Sequence, residues 1–164
     1  TYNRELIDDG ADRYFFVSDP VPFTVEGLGS DLTAKAPLHP DHPEKGTRAL
    51  RVAVGSKVFL ARDDLGDAPK RLRLKDLCNF DVRGDKLVNA GNDLAVLKEG
   101  VRIVHWAPAD AVPAEVVMTD GTTRTGVAEP SLADALGKVV QLERFAFVRV
   151  EQVSPSIRCV FTHR

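Results

Sequence analysis

Apolar and polar residues alternate with a period of two along most of the chain, which is the pattern of half-buried β-strands. Short runs of this kind, bounded by Gly, Pro, Asn or Asp, predict strands at Arg13–Val17, Phe23–Glu26, Arg48–Val54, Lys57–Leu60, Arg71–Leu77, Val101–Trp106, Ala114–Thr119, Thr123–Val127, Val139–Gln141, Phe145–Glu151 and Ile157–Phe161. Many short strands at such spacing indicate barrels or sandwiches. The sequence therefore predicts an all-β protein.

Turn and helix signals divide this pattern. The run Thr119–Thr122, with Asp-Gly at its centre, predicts a type I′ hairpin with positive φ at both central positions. Helical signals are weak: a turn or two over Asn3–Asp9, and a capped short helix from Pro130 through Leu136. A boundary near Lys98-Glu99-Gly100 predicts two units, 1–98 and 99–164, with strands open to exchange between them.

A proline-rich loop over residues 37–48 separates two of the predicted strands. Because each proline fixes its own φ and removes a backbone donor, we expect this loop to be extended, stiff and free of helix. The loop also carries potential metal ligands, which His105 could join: His39, Asp41, His42 and Glu44. Without cysteines or a regular helical histidine pair, this spacing favours structural histidines bonded to the backbone, and we expect no metal site.

Composition limits the function classes. The 164 residues are 43% hydrophobic and 28% charged, as in an ordinary soluble globular chain. No run of about 18 apolar residues and no charged-then-apolar leader stands in the sequence, so we expect neither membrane insertion nor secretion. Two cysteines fit a reducing, cytoplasmic location. A chain that opens at Thr1 and has a single methionine, Met118, favours a piece of a longer protein.

Catalytic motifs are missing from the sequence. It holds no Gly-x-x-x-x-Gly-Lys-Ser/Thr or Gly-x-Gly-x-x-Gly run to cradle a nucleotide, and no Gly-x-Ser-x-Gly nucleophile turn. Cys78, set among apolar residues, is expected to be a small buried side chain rather than a reactive thiol. We therefore expect no catalytic residue in this chain.

Basic residues concentrate in one strand, although the net charge of −2 gives no global attraction to nucleic acid. Strand alternation places Arg71, Arg73 and Lys75 on one face, with Leu72 and Leu74 packed inward. The simpler interpretation is a solvated strand face. The alternative is an RNA contact, because like charges spaced about 6.5–7 Å apart match the spacing of phosphates or bases along a strand.

Two further segments have both a structural and a functional interpretation. Trp106 at a strand end is expected to be a core or rim aromatic, although an exposed indole would stack on a base. In the alternating run Gln141–Phe145, an inward Leu142 would send Gln141 and Glu143 outward together. A glutamine amide, with a donor and an acceptor, suits the reading of a base edge, but an ordinary surface strand tolerates it too.

Five motifs follow one another in the sequence at compatible spacing: Ala11–Pro20, Pro37–Arg48, Arg73–Lys75, Ile103–Trp106 and Gln141–Arg149. Taken together, they closely resemble the C-terminal anticodon-binding part of class I glutamyl- and glutaminyl-tRNA synthetases, and the archaeal glutamyl enzymes in particular. The resemblance implies two β-barrels, similar to the fold of an RNA-binding ribosomal protein, that grip the anticodon stem-loop of tRNA. It also implies a catalytic domain in the same parent polypeptide, using ATP and Mg. The His-Ile-Gly-His and Lys-Met-Ser-Lys-Ser signatures of that domain are absent, so this chain alone should not aminoacylate.

The resemblance also implies roles for individual residues. By position in the family motifs, Arg13 and Gln141 correspond to contacts with the central uridine of the anticodon, and Arg73 to the contact with the first base. Lys75 replaces an arginine, which keeps the charge but loses the planar fork. Candidates for the third base are Arg71 and Lys70. The expected tRNA-binding residues are Arg13, Arg71, Arg73, Lys75, Gln141 and Arg144.

Two alternatives remain open at this point. One is a stand-alone β-barrel module that binds RNA or protein with no synthetase attached. The other is a metal-dependent hydrolase built on His39, His42 and His105. Whether the parent enzyme also charges the glutamine tRNA does not follow from the sequence.

Overall fold

Residues 10–164 are described by a computed structural model. The helical turns predicted over Asn3–Asp9 lie outside the described residues. In this part of the chain the strands are β1 (Arg13–Tyr14), β2 (Phe16–Ser18), β3 (Pro20–Glu26), β4 (Leu32–Pro37), β5 (Thr47–Val52), β6 (Lys57–Ala61), β7 (Arg71–Leu74), β8 (Asn79–Arg83), β9 (Lys86–Asn89), β10 (Arg102–Val104), β11 (Ala107–Pro108), β12 (Val112–Val117), β13 (Thr123–Ala128), β14 (Val139–Leu142), β15 (Ala146–Gln152) and β16 (Ile157–His163). The 3-10 helices are η1 (Pro43–Lys45), η2 (Arg62–Leu65), η3 (Leu94–Glu99) and η4 (Pro130–Ala135).

Two seven-stranded sheets and one hairpin organise these strands. Sheet A has the order β1-β14-β15-β16-β12-β13-β2, and sheet B the order β10-β7-β8-β9-β3-β6-β11. Strands β4 and β5 form a separate antiparallel pair. The predicted all-β fold class is confirmed. None of the helices among residues 10–164 is long and apolar enough to cross a membrane.

Strands are exchanged between the two halves of the chain. The early strands β1 and β2 pair with β14 and β13 of sheet A, whereas β3 already belongs to sheet B. The later strands β10 and β11 follow Gly100, yet they pair with β7 and β6 of sheet B. The division into 1–98 and 99–164 therefore stays a prediction. We use the name seam for the boundary where sheet A and sheet B meet.

Phe15 interrupts the strand predicted over Arg13–Val17. Tyr14 and Phe16 are buried in the core of sheet A, while Phe15 between them packs into the core of sheet B, 6.1 Å from the Trp106 ring centroid. Period-two alternation thus sends neighbouring aromatics into two different cores. The segment predicted as a single strand forms two strands, β1 and β2, at opposite edges of sheet A. Its side chains contribute to both cores.

Trp106 lies fully buried in the core of sheet B, as the structural interpretation of this residue predicts. Its Nε1–H donates to the Lys75 carbonyl at 2.9 Å, which satisfies the one polar group of the indole. Cys78 is also buried in this core, in agreement with its predicted role, and burial raises the pKa of its thiol.

The proline-rich loop differs from the prediction in its second half. Residues Pro43–Lys45 form the 3-10 helix η1, with the proline in its first turn and Gly46 at φ 83° after its end. A proline is tolerated there because its missing N–H has no partner in a first turn anyway. Lys45 Nζ then contacts the Gly10 carbonyl at 2.6 Å and Asp12 Oδ1 at 2.7 Å, which ties the loop to the start of sheet A.

Two other local predictions need correction. The hairpin between β12 and β13 exists, but only Gly121 has positive φ, and its N–H donates to the Met118 carbonyl at 3.1 Å. The Asp120 carboxylate instead accepts from the Thr122 N–H and hydroxyl, so the type I′ assignment is wrong. The predicted short helix is the 3-10 helix η4, and its Ser131 hydroxyl donates to Glu129 rather than capping the backbone.

Candidate nucleic-acid interface

Arg13 and Gln141 are brought to the same level of neighbouring strands. Strands β1 and β14 run parallel, and their register pairs the Cα atoms of these two residues. The Gln141 N–H donates to the Asp12 carbonyl and the Glu143 N–H to the Tyr14 carbonyl, each at 2.9 Å. Neighbouring strands lie about 4.8 Å apart, so a guanidinium and an amide stand side by side at this edge. Residues 128 positions apart in sequence thereby form one unit.

The Gln141 amide has an unused acceptor. Its Oε1 atom is buried and has no hydrogen-bond partner among residues 10–164. A buried oxygen without a donor costs about 1–3 kcal/mol relative to a satisfied one. A ligand that offers an N–H would recover that cost once the amide turns outward to meet it.

The basic stripe, which we define as Arg71, Arg73 and Lys75, lies on one face of β7 and the residue after it. Leu72 and Leu74 are fully buried between them, so the predicted alternation is confirmed. The strand ends at Leu74, however, and not at Leu77 as predicted. The chain turns after Leu74, with Asp76 at φ 62° and the Leu77 N–H donating to the Leu74 carbonyl at 3.0 Å. The next buried residue is Cys78, just before β8.

Each cation of the basic stripe already has a partner. Arg71 Nε donates to Asp81 Oδ1 at 2.6 Å, and its guanidinium holds the pKa of that carboxyl below its usual range. Arg73 Nη1 donates to Asn79 Oδ1 at 3.1 Å. Lys75 Nζ donates to Glu143 Oε1 at 2.6 Å. Arg73 is thus the stripe residue that is hydrogen-bonded to a neutral side chain, which leaves its full charge for a ligand.

Glu143 does not point outward beside Gln141, contrary to the prediction. Its side chain is only 8% exposed and forms the centre of an alternating set of charges. Lys75 contacts Oε1, and Arg48 Nη2 lies 3.6 Å from Oε2. Arg48 in turn contacts Glu129 Oε1 at 2.7 Å, where both side chains are almost completely buried. We call Lys75, Glu143, Arg48 and Glu129 the seam network, because it crosses from sheet B to sheet A.

Glu129 anchors the inner end of the seam network. Its Oε2 atom accepts from the Phe15 N–H at 2.8 Å and from Arg48 Nε at 2.9 Å. Burial raises the pKa of this carboxyl, while Arg48 opposes the shift. Arg48 Nη1 donates to the Pro37 carbonyl at 2.7 Å, and its guanidinium lies 4.7 Å from the Phe15 ring centroid. The ion pair thus fixes the point where the chain passes between the two cores.

Arg144 lies elsewhere on the seam, in a turn with φ 60° rather than on a strand. Its guanidinium makes two hydrogen bonds to the Asp64 carboxylate, at 2.8 and 2.9 Å, and one to His105 Nδ1 at 2.9 Å. Burial, with the charge of Arg144 next, lowers the pKa of His105 to about 4. The imidazole is therefore neutral at pH 7 and accepts from Arg144. A cavity of about 170 Å³ lies beside this contact, lined in part by Arg124 and Phe145.

The structure brings the predicted residues together in part. Gln141 and Lys75 are connected through Glu143, and Arg13 stands next to Gln141. Arg71, Arg73 and Lys75 share one face, while Arg144 is held by Asp64 and His105. Sequence reasoning missed Arg48 and Glu129. One signal was available: Arg48 occupies an inward position of the predicted strand, in phase with Leu50 and Val52.

The histidines of the proline-rich loop have structural contacts. His39 is 1% exposed, and its Nδ1 accepts from the Asp41 N–H at 3.1 Å, as the prediction of backbone bonding requires. His42 Nδ1 lies 3.0 Å from Glu44 Oε1. Within residues 10–164 no group of three or more His, Cys, Asp or Glu side chains is arranged to hold a metal ion.

A row of cations on one face of a β-strand suits contact with the backbone of a single-stranded nucleic acid, so the fold and the basic stripe fit the class of nucleic-acid-binding β-modules. Comparison with known families makes this class specific. Residues 11–98 match the family model described as the anticodon-binding domain of class I tRNA synthetases (E and Q), and residues 103–151 match a second model with the same description. The chain belongs to this family of anticodon-binding domains.

Similar proteins agree with this assignment. The chain is 41% identical to a glutamate–tRNA ligase of Methanocella arvoryzae over 98% of its own length. It is 39% identical to the glutamate–tRNA ligases of Pyrococcus abyssi and Methanothermobacter thermautotrophicus, over 99% of its length in each case. The chain spans 29–30% of the length of these relatives. The predicted kinship with archaeal glutamyl enzymes is confirmed.

Proposed function

We propose that this chain binds the anticodon stem-loop of tRNA as the recognition part of a glutamate–tRNA ligase. The observation that carries the proposal is the pairing of Arg13 with Gln141 across β1 and β14. It joins a cation that attracts RNA to an amide that discriminates between base edges. The family assignment and the names of the relatives support the same function.

Gln141 reads the central uridine of the anticodon. Uracil offers an N3–H donor next to carbonyl acceptors, and a glutamine amide is complementary to that pair. The buried, unused Oε1 of Gln141 is the atom that accepts from N3–H. Cytosine in the same position would turn its N3 lone pair towards this oxygen, and its donor on that edge is the displaced N4 amino group, so the contact would be weaker. Arg13, at the same register, holds the base or its phosphate from the neighbouring strand.

The basic stripe contacts the remaining anticodon nucleotides. Arg73 reads the first base, because its guanidinium has a neutral partner in Asn79 and keeps its full charge. Arg71 and Lys70 are the candidates for the third base. Arg144 supports the interface from the seam, where Asp64 and His105 orient it.

The parent protein attaches glutamate to tRNA in a separate catalytic domain, where ATP and Mg are used. That domain is the second partner of this chain within the same polypeptide. The site of action is the cytoplasm, where tRNA is charged. The alternative, a stand-alone barrel that binds RNA without reading an anticodon, is an outcome of the experiment below.

The test compares two RNAs over a salt series: a stem-loop with the glutamate anticodon, and the same stem-loop with cytidine at the central position. Arg73→Ala should cost about 1–3 kcal/mol of binding to both RNAs and leave discrimination at the central position intact, because its proposed contact is with the first base. Gln141→Ala should lower discrimination at the central position and leave the salt slope unchanged, since a neutral amide releases no counterion.

Matched controls are available in the chain. Gln152→Ala removes the other glutamine, which donates to the Ser156 carbonyl at 3.3 Å, and Arg51→Ala removes an exposed arginine paired with Asp31. Neither should change discrimination. If wild-type protein binds both RNAs equally, the chain does not read the anticodon and the stand-alone alternative holds. If Gln141→Ala keeps wild-type selectivity, the glutamine is only a surface strand residue.

A further inference from the structure

Glu143 is the residue at which the two halves of the proposed interface meet. Its backbone extends the β1–β14 ladder two residues beyond Gln141, through the Glu143 N–H to Tyr14 carbonyl bond at 2.9 Å. Its carboxylate holds Lys75 of the basic stripe at 2.6 Å. A cation on sheet B is thereby fixed relative to an amide on sheet A. Lys75 and Glu143 are 68 residues apart in sequence, so the ion pair and not the local chain makes this connection.

The Glu143 side chain is confined by burial and by charge. It is 8% exposed, and Arg48 Nη2 lies 3.6 Å from Oε2, which is an ion-pair contact without a hydrogen bond. Arg48 is anchored by the buried Glu129 and by the Pro37 carbonyl. A side chain confined in this way has few rotamers to lose when RNA binds, so its partner Lys75 is preorganised as well.

The pairing also controls charge. Lys75 is 38% exposed, and without a partner it would attract the phosphates of any RNA. The adjacent carboxylate cancels that attraction at a distance. A nucleotide can then use the ammonium only as a directed donor at close range, because a charge-assisted hydrogen bond requires a short, aligned contact.

We propose that Glu143 is a positioning residue for discrimination by the anticodon interface: it holds the Lys75 ammonium of sheet B at the end of the strand that carries Gln141, and it suppresses the attraction of that ammonium to non-cognate RNA. This inference rests on the proposed function. It assigns to Glu143 an effect on selectivity that an ion pair serving only stability would not have.

The test uses the purified chain and the two stem-loops described above, with cytidine in place of the central uridine in the second. Glu143→Gln keeps the shape of the side chain and removes its charge. We expect selectivity to fall about tenfold, the factor for one charge-assisted hydrogen bond. We also expect the salt slope to steepen by about 0.7–0.9 for both RNAs, because one cation is released for phosphate contact.

Two further variants separate positioning from stability. Glu115→Gln is the matched control: it also removes one carboxylate from an ion pair, with Arg158 at 3.4 Å, and should leave selectivity unchanged. In a Lys75→Met background, Glu143→Gln should produce no additional change in selectivity or salt slope. Glu143 would then act through Lys75, as proposed.

Each contrary result has its own meaning. Equal weakening of both RNAs by Glu143→Gln, with an unchanged salt slope, would show a purely structural ion pair and overturn the inference. The same selectivity loss in the Lys75→Met background would also overturn it. Wild-type protein that binds neither RNA would overturn the proposed function itself, whereas wild-type discrimination that survives Glu143→Gln removes this inference alone.

Discussion

Glu143 and Arg144 are adjacent in sequence, yet they bind sheet B through two different contacts. Glu143 joins the seam network, in which Arg48 and Glu129 are almost completely buried. Arg144 makes a two-bonded contact with Asp64, and its own side chain remains 45% exposed. The Glu143 contact belongs to a network of buried charges. The Arg144 contact is an ion pair between a half-exposed guanidinium and a buried carboxylate.

The two contacts should differ in how much stability is lost when one charged partner is removed. Buried charges depend on each other, since removing one leaves its partner unsolvated in a region that water cannot reach. Loss of a guanidinium that is itself half exposed opens a path for water to the carboxylate that it covered, so this loss costs less. Substitutions in the seam network should therefore lower the free energy of unfolding more than substitutions at the Arg144 contact.

The largest effect is expected from breaking the buried pair. Glu129→Gln leaves the Arg48 guanidinium without its main partner, and it should lower the free energy of unfolding by about 3–5 kcal/mol. Urea unfolding of the purified chain measures this change. The matched surface variant Glu115→Gln should change stability by about 0.5 kcal/mol or less.

A second substitution sharpens that result. In the double variant Arg48→Met and Glu129→Gln, both charges are gone, and part of the stability should return. A Glu129→Gln protein as stable as Glu115→Gln would contradict the view that the seam network governs stability.

A smaller, pH-dependent effect is expected at the other contact. The pKa of His105 is lowered to about 4 in the folded protein, against 6.5 unfolded. Above pH 6.5 the imidazole is neutral in both states. As the pH falls below 6.5, the unfolded chain takes up the proton first, so stability is lost progressively down to pH 4, by at most about 3 kcal/mol.

The variant His105→Gln isolates this contribution. The difference in unfolding free energy between wild type and variant should shrink as the pH falls from 7 to 4, because only the wild type carries this imidazole. Titration of the other groups cancels in the subtraction. A difference that is constant over this range would show that His105 is not held neutral.

The smallest stability effect is expected from Arg144→Met. It leaves the buried Asp64 carboxylate without its two hydrogen bonds, but loss of the half-exposed guanidinium that covers this carboxylate should let water reach it, so the cost should be about 1–2 kcal/mol. Urea unfolding at pH 7 measures it. A loss as large as that of Glu129→Gln would remove the contrast between the two contacts.

The sequence predicted those strands in which burial follows the period of two. In β5 (Thr47–Val52) exposed and buried residues alternate without exception, and the prediction was accurate to within two residues. Strands β4, β8 and β9 and the two-residue β11 were missed. The short runs of β4, β8 and β9 carry Lys35, Asp81 and Lys86, residues of low strand propensity that dilute the signal.

The site was predictable only where it is local. Alternation placed Arg71 and Arg73 on one face, and it correctly turned Leu142 inward. The pairing of Arg48 with Glu129 joins residues 81 positions apart, and periodicity contains no information about such partners. The burial of Glu143 followed from those partners and so was missed as well.

The central claim is that sheet A and sheet B present one RNA interface, with Arg13 and Gln141 on one side and Arg73 and Lys75 on the other. NMR titration of isotope-labelled protein with the cognate stem-loop tests it directly. We predict that amide shifts at all four positions follow one binding curve, and that the stem-loop with central cytidine weakens the whole set together. Shifts confined to one sheet, or separate binding curves for the two pairs, would contradict the account.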